Sequence, residues 1–187
     1  MVNVERKGFV VEPSGSRIVL KSDTDSVVLM QPVQTDAPLI FGLVNSNREH
    51  LGQFTEVATT FSSLEAVQKI IANDGNPNLH RFGIWDRETL VGMINLSVFG
   101  RNSLLDLWVG KEHAGQRYAA RAGSLLISYA FDKLDLQDVG CYINLKNEAS
   151  RKTVQRLKPD LIPAYLGVFN MRYTISNPNT PVPNVAL

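Results

Sequence analysis

The stretch "DLWVGKEHAGQRYAARAGSLLISYAF", residues 106 to 131, decides how this chain is read. An apolar, strand-like run gives way to a short polar turn and then restarts with helical spacing. Tyr118, Ala122, Leu125, Leu126, Tyr129 and Ala130 fall on one helical face, and Arg117, Arg121, Ser124 and Asp132 on the other. A strand that ends in Gly110 and feeds a helix presents main-chain amides and the positive end of the helix dipole, an arrangement that receives a pyrophosphate. Lys111, Arg117 and Arg121 add positive charge locally. On spacing alone two readings stay open: a phosphate cradle, or a turn shaped by Gly110 and Gly115 with solvated arginines.

The flanking sequence sets this stretch in an alternating order of strands and helices. "SVVLMQPV" (26–33) reads as a strand, and 35–54 as one helix or two short ones, since Asn45, Ser46 and Asn47 are poor helix formers. "SSLEAVQKIIAND" opens with a capping box from Ser62 to Glu65, and Leu64, Val67, Ile70 and Ile71 form its buried stripe. "HRFGIWD" and "TLVGMINLSVF" flank Arg87 and Glu88 as a hairpin, and "GRNS" turns the chain into a third strand, "LLDLWVG". After the helix come a strand, "DVGCYINL", and a short helix, "NEASRKTVQRL", capped by Asn147 and stopped by Pro159. A right-handed crossover then makes strands 104–109 and 139–145 parallel. "DLIPAYLGVFNMRYTI" reads as a last hairpin bent at Pro163 and Gly167, before an extended tail, 176–187.

Composition bounds the function. A chain of 187 residues, 44% hydrophobic and 20% charged, is expected to fold as one domain over its whole length, 1–187. A net charge of +1 supplies no global field for nucleic acid or an anionic membrane, so neither is an expected partner. Cys141 is the lone cysteine, the first residues lack a signal-peptide pattern, and no apolar run reaches a bilayer's width. The cytoplasm is the expected location. His80 and His113 are isolated, and no Cys/His/Asp spacing points to a metal.

"NREHL", "FGIWDRETLVGMINL", "LWVGKEHAGQRYAARAGSLLISYAF" and "NEASRKTVQRL", in this order from about Val27 to about Leu157, resemble the GNAT superfamily of acyl-CoA N-acyltransferases, and within it most the ribosomal-protein serine N-acetyltransferase branch. The resemblance implies an α/β (α+β) fold: a mixed, mostly antiparallel sheet of about six to seven strands, flanked by helices, with 104–109 and 139–145 as a splayed parallel pair. It implies acetyl-CoA or another acyl-CoA as cosubstrate, no metal, an amine acceptor that is a peptide or a small molecule, and a possible homodimer. Its cofactor-binding positions fall on Trp108, Val109, Gly110, Lys111, Gly115, Gln116, Arg117, Tyr118, Ala119, Arg121 and Asn147, with a main-chain amide near Trp108 and Val109 polarising the thioester oxygen. Ser150 takes the place of the hydroxyl that assists thiolate departure.

The chain departs from the family pattern at informative places. Where relatives carry Gln or Arg, two residues, Gly, one residue, then Gly or Ala, it has Ala114, Arg117 and Ala119. Arg117 either pairs directly with phosphate or fills the site. Leu104 stands where relatives often have a Glu, and Asp106, two residues on, shares its strand face and is the candidate base. Lys158 and Pro159 replace the family's Gly-Phe pair. Glu49 and His50 border the acceptor cleft of relatives and are candidates for amine recognition. An α-amine with pKa near 8 is about a tenth neutral at pH 7 and a lysine about one part in 2,500, a gap of about 3 kcal/mol, so a site short of bases suits the α-amine. A second class of function fits the same departures: a catalytically weak or inactive module binding acyl-CoA or a peptide.

Overall fold

The strands are β1 (Phe9–Ser14), β2 (Arg17–Ser22), β3 (Val27–Met30), β4 (Leu79–Asp86), β5 (Thr89–Phe99), β6 (Asn102–Val109), β7 (Asp138–Asn144), β8 (Ala164–Leu166) and β9 (Asn170–Ser176). The structure, a computed structural model, describes residues 9–14, 17–73, 75–158, 164–166 and 170–179. Its strands join in one sheet of order β1-β2-β3-β4-β5-β6-β7-β9-β8. Every neighbouring pair is antiparallel except β6 and β7. The mixed sheet with one parallel pair is the expected one, but nine strands exceed the six to seven anticipated. The N-terminal hairpin of β1 and β2, whose runs are short and interrupted by Pro13, carried too weak a pattern to read.

Helices cover both faces. The helix α5 (Tyr118–Asp132) lays Tyr118, Ala122, Leu125, Leu126, Tyr129 and Ala130 on Leu20, Leu29, Phe82, Ile84, Ile94 and Leu96. On the other face, α1 (Ala37–Ser46) and α4 (Leu64–Ala72) pack Ile40, Val44, Val67 and Ile71 against Trp85, Met93 and Trp108. The segment expected as one helix or two is two, α1 and α2 (Arg48–Gly52), separated at Asn47. A single-turn α3 (Val57–Thr60), not foreseen, precedes α4. The cap of α4 is Ser63 rather than Ser62: Ser63 Oγ accepts from the Ala66 amide at 3.2 Å, and Glu65 bonds to Ser63. A cap needs extended backbone just before the helix, and Ser63 has it. The last helix, α6 (Glu148–Leu157), sits beside α5, where Leu157 Cδ1 would lie 3.0 Å from a Cβ on Gly123.

β5 and β6 approach closely where Gly92 pairs with Val109. A side chain on Gly92 would meet the Trp108 carbonyl oxygen at 2.1 Å, so only glycine fits there. The β4–β5 register shifts at Ile84/Trp85, a bulge that lets β5 turn Val91 toward α5 and Met93 toward α1. Of the expected final hairpin, Pro163 and Gly167 lie outside the described residues, as do Pro159, Val182, Val185 and Leu187. The start of the expected tail is ordered: Ser176 ends β9, and Asn177 is buried with its Nδ2 donating to Leu136 O at 2.9 Å.

Candidate active site

β6 and β7 pair in parallel at one register position, Leu104 with Gly140, and no further pairing follows toward their C-terminal ends among the described residues. The opened edge of β6 therefore carries main-chain groups without a strand partner. Gly110 N–H donates to Val91 O at 2.9 Å, which fixes the alternation along β6. The amides of Trp108 and Gly110 point to β5, and those of Leu107 and Val109 point into the gap. Of the two expected oxyanion donors, Val109 is thus the one that faces the gap, while Trp108 contributes a buried indole on the α1 side.

The turn after β6 leads into α5 with no side-chain cap. Arg117 is the N-cap residue and adopts φ +64°, and Gly115 adopts +79°. Arg117 keeps a backbone shape natural to glycine although it carries a long side chain. The amides of His113 and Ala114 are engaged within the turn and that of Lys111 by the Asn47 side chain, whereas no internal partner is found among the described residues for those of Gly115, Gln116 and Arg117. The first turn of α5 adds its own open amides. Gln116 folds back to Glu112 O at 3.2 Å, and the Lys111 and Arg117 side chains are exposed. Ala119 follows half-buried in the first turn.

Arg121 does not face this turn. Its Nε donates to both carboxylate oxygens of Asp25 at 2.8 and 2.9 Å, its Nη2 also pairs with Asp25 and reaches Ser26 Oγ at 2.9 Å, and its guanidinium lies 5.4 Å over the Tyr118 ring. The expectation that Arg121 presents its charge to phosphate is corrected: a bidentate carboxylate neutralises it and ties the β2–β3 turn to α5. Tyr118 continues this network, its hydroxyl donating to Asp86 Oδ2 at 2.7 Å. That bond, with a second from Ser26, holds the Asp86 carboxyl below the usual range and pushes the Tyr118 phenol up. A cavity of about 560 Å³ opens between the β4–β5 turn, His113 and Tyr118. It lies on the β5 side of β6 and excludes Asp106, so this open pocket and the splayed gap are different places.

Sequence reasoning passed over Asn47, which the structure makes central. It is 3% exposed. Its Oδ1 accepts the Lys111 amide at 2.7 Å, and its Nδ2 donates to Leu43 O at 3.0 Å and toward Glu112 at 3.4 Å. One carboxamide thereby joins the α1–α2 break to the turn after β6. The signal was present in "SNREH" but read only as a poor helix former. Glu49 is exposed on α2 and His50 is half-buried. His50 approaches the same turn, its charge helping to hold the Glu112 carboxyl low after that group's main-chain bond.

Asp106 lies on the sheet face that carries Trp108, opposite Asn95 of β5. Its side chain reaches solvent through the gap yet stands in the body of the protein, and the loss of surrounding water pushes its carboxyl pKa up. Across the gap the Cys141 thiol is pushed up to about 11, by burial and then by Asp106. Leu104 is half-buried at the parallel contact and brings no carboxylate. Asn147 caps α6, its Oδ1 accepting the Ser150 amide at 3.1 Å. Ser150 is half-buried in the first turn of α6. Among the described residues no three His, Cys, Asp or Glu side chains gather as a metal site. No helix there is long and apolar enough to cross a membrane.

A family model described as Acetyltransferase (GNAT) domain matches residues 26–158. YdaF of Bacillus subtilis (strain 168), provisionally named a ribosomal N-acetyltransferase, is 29% identical over 140 residues, 71% of this chain and 75% of that protein. The apo crystal structure of RimL, a ribosomal L7/L12 alpha-N-protein acetyltransferase, superposes with TM-score 0.74 at 16% identity, covering 90% of this chain and 99% of RimL. The microcin C7 self-immunity acetyltransferase MccE, solved with acetyl-CoA and AMP, gives TM-score 0.72 at 15% identity over 82% of this chain and 93% of its own. At these identities the structural likenesses establish the shared fold.

Proposed function

Because the chain belongs to the acetyltransferase (GNAT) family, and so is an acyl-CoA-dependent N-acetyltransferase acting on an amine, we propose that its acceptor is the α-amine of a protein or peptide N-terminus and that the β6–β7 gap is where transfer occurs. The observation that carries this is the coincidence, at one end of β6, of a strand pair that parts after Leu104/Gly140 and a long helix that starts without a cap. The parted edge accepts an extended thioester arm as an added strand, with the Val109 amide directed at the carbonyl oxygen. The open amides at 115–117 and the first turn of α5 hold the diphosphate, helped by Lys111 and Arg117.

Asp106 is the one carboxylate of β6, faces the gap, and has the raised pKa that suits a base. It receives the ammonium proton of the acceptor. Asn147, whose Oδ1 already caps α6, offers its Nδ2 to the pantetheine arm, and the Ser150 hydroxyl stands ready to protonate the departing sulfur. Glu49 and His50 on α2 form the acceptor side. The name of the Bacillus subtilis relative supports a protein amine over a small one, and the setting is the cytoplasm. Leu104 favours a second reading, a module that binds acyl-CoA without turnover.

Calorimetric titration with acetyl-CoA, followed by thiol release over peptides with a free α-amine, a lysine side-chain amine and a polyamine, separates the two. Turnover is expected to be fastest with the α-amine peptide. Tight binding with no thiol release from any amine supports the module, and absence of binding removes both.

A further inference from the structure

Asp106 and Asn95 face one another across the β5–β6 ladder, on the sheet face that α1 and α4 cover further along. The neighbouring pair on that face, Trp108 with Met93, closes the apolar cluster, both side chains being buried. One ladder step on, chemistry changes abruptly. Asn95 Oδ1 is shut off from solvent and has no hydrogen-bond donor among the described residues. A buried carbonyl oxygen without a donor is unfavourable, and a polar side chain that does not help the core calls for a partner from outside it. Beside it stands the Asp106 carboxyl, whose ionisation is hindered by the loss of surrounding water, while Arg81 of β4 is turned to Ile70 O at 3.4 Å. The other titratable group at this place is the Cys141 thiol of β7, which stays protonated.

Resting on the proposed transfer site, we propose that Asn95 and Asp106 together seat the acceptor amine: Asn95 Oδ1 accepts one N–H and the Asp106 carboxylate accepts another. Both groups are acceptors, so the seat matches a group with at least two N–H bonds directed to one side, the pattern of a primary ammonium. Asp106 takes one proton from R–NH3+, the freed lone pair forms the N–C bond, and the C–S bond breaks. A second nitrogen proton leaves as the amide forms and matches the one the thiolate gains, and the proton on Asp106 returns to water. Once Asp106 has taken one proton, a neutral primary amine keeps two N–H bonds for the two oxygens, whereas an N-methylated amine keeps one and places a methyl group against an oxygen.

The test compares wild type, Asn95→Leu and Asn95→Asp with the best primary amine found by thiol release and with its N-methyl derivative. Asn95→Leu replaces the orphaned carboxamide by an apolar group of similar volume, so its melting temperature is expected to hold or rise and its affinity for acetyl-CoA to be unchanged. Its KM for the primary amine is expected to rise at least tenfold, and its preference for the primary over the N-methyl amine to collapse. Asn95→Asp keeps an acceptor oxygen and is expected to retain that preference. An unchanged acceptor KM and preference in a folded Asn95→Leu overturns the seat while leaving the transfer site intact. A wild-type protein that binds acetyl-CoA yet acetylates no amine overturns both.

Discussion

Replacing Arg117 by glycine separates the two roles that this residue can play at the start of α5. The native backbone at Arg117 has φ +64°. A left-handed conformation costs an L-residue roughly 1–2 kcal/mol that glycine avoids, whereas glycine's freer unfolded chain takes back about 0.4–1 kcal/mol. Arg117→Gly is therefore expected to be mildly stabilising, by about 0.5–1 kcal/mol, or about 1–4 °C in melting temperature for a chain of this size. The guanidinium is exposed, so a phosphate contact through it is worth the lower end of the charge-assisted range, about 1.5 kcal/mol. Its loss weakens acetyl-CoA about tenfold. Differential scanning calorimetry gives the first quantity and isothermal titration the second. In the variant, affinity also falls less steeply with added salt, since one screened charge is gone. Tighter acetyl-CoA binding by Arg117→Gly would refute the assignment and show that the arginine obstructs the cradle.

Other perturbations follow from the same geometry. Asn47→Ala leaves the Lys111 amide without its 2.7 Å partner, at about 1–3 kcal/mol of stability, and raises the KM for acetyl-CoA; equal midpoints in urea and equal KM would remove Asn47 from the site. Asp106→Asn is expected to lower kcat about 100-fold or more yet to stabilise the fold at neutral pH. Burial raises the folded-state pKa of Asp106 above 3.8, so its favourable contribution is full below that value and is lost as pH rises through the folded pKa; a midpoint that drops in the variant contradicts this. His80 is the opposite case: burial lowers its pKa from 6.5, so stability is held above that value and lost as pH falls toward the folded pKa. Denaturation midpoints from pH 8 to 5 should fall in wild type and flatten in His80→Asn.

Local pattern made the central elements legible. The helix stripe from Tyr118 to Ala130 is buried as read, the β4–β5 turn falls at Arg87 and Glu88, and Asn147 caps α6. Each of these is dictated by residues within a few positions of one another. What escaped depends on partners far along the chain. Arg121 stands 96 positions from Asp25, and no spacing within α5 announces that its charge is taken. Asn47 lies 64 positions from Lys111, so its role as a tie was invisible beside its low helix propensity. The cap moved from Ser62 to Ser63 because both serines sit before the same apolar run, and only the entering backbone direction chooses between them.

Locally unfavourable features line the C-terminal half of β6 and its exit. Arg117 holds a left-handed backbone, α5 starts uncapped, Asn95 buries an oxygen without a donor, and Asp106 carries a carboxyl short of water. Elsewhere several comparable groups are satisfied, Asp86 by Tyr118, Asp36 by Arg17 at 3.1 Å and Ser63 as the cap of α4, whereas Asp138 Oδ1 and Arg172 Nε are buried without a hydrogen-bond partner among the described residues. The cluster of such features beside the edge of β6 that lacks a strand partner fits a ligand that supplies the missing partners there. In the proposed transfer site the diphosphate would answer the open amides and Arg117, and the amine would answer Asn95 and Asp106. Asn47 joins the helix break at the acceptor side to the turn at the nucleotide side through a single carboxamide, so ordering one side restrains the other.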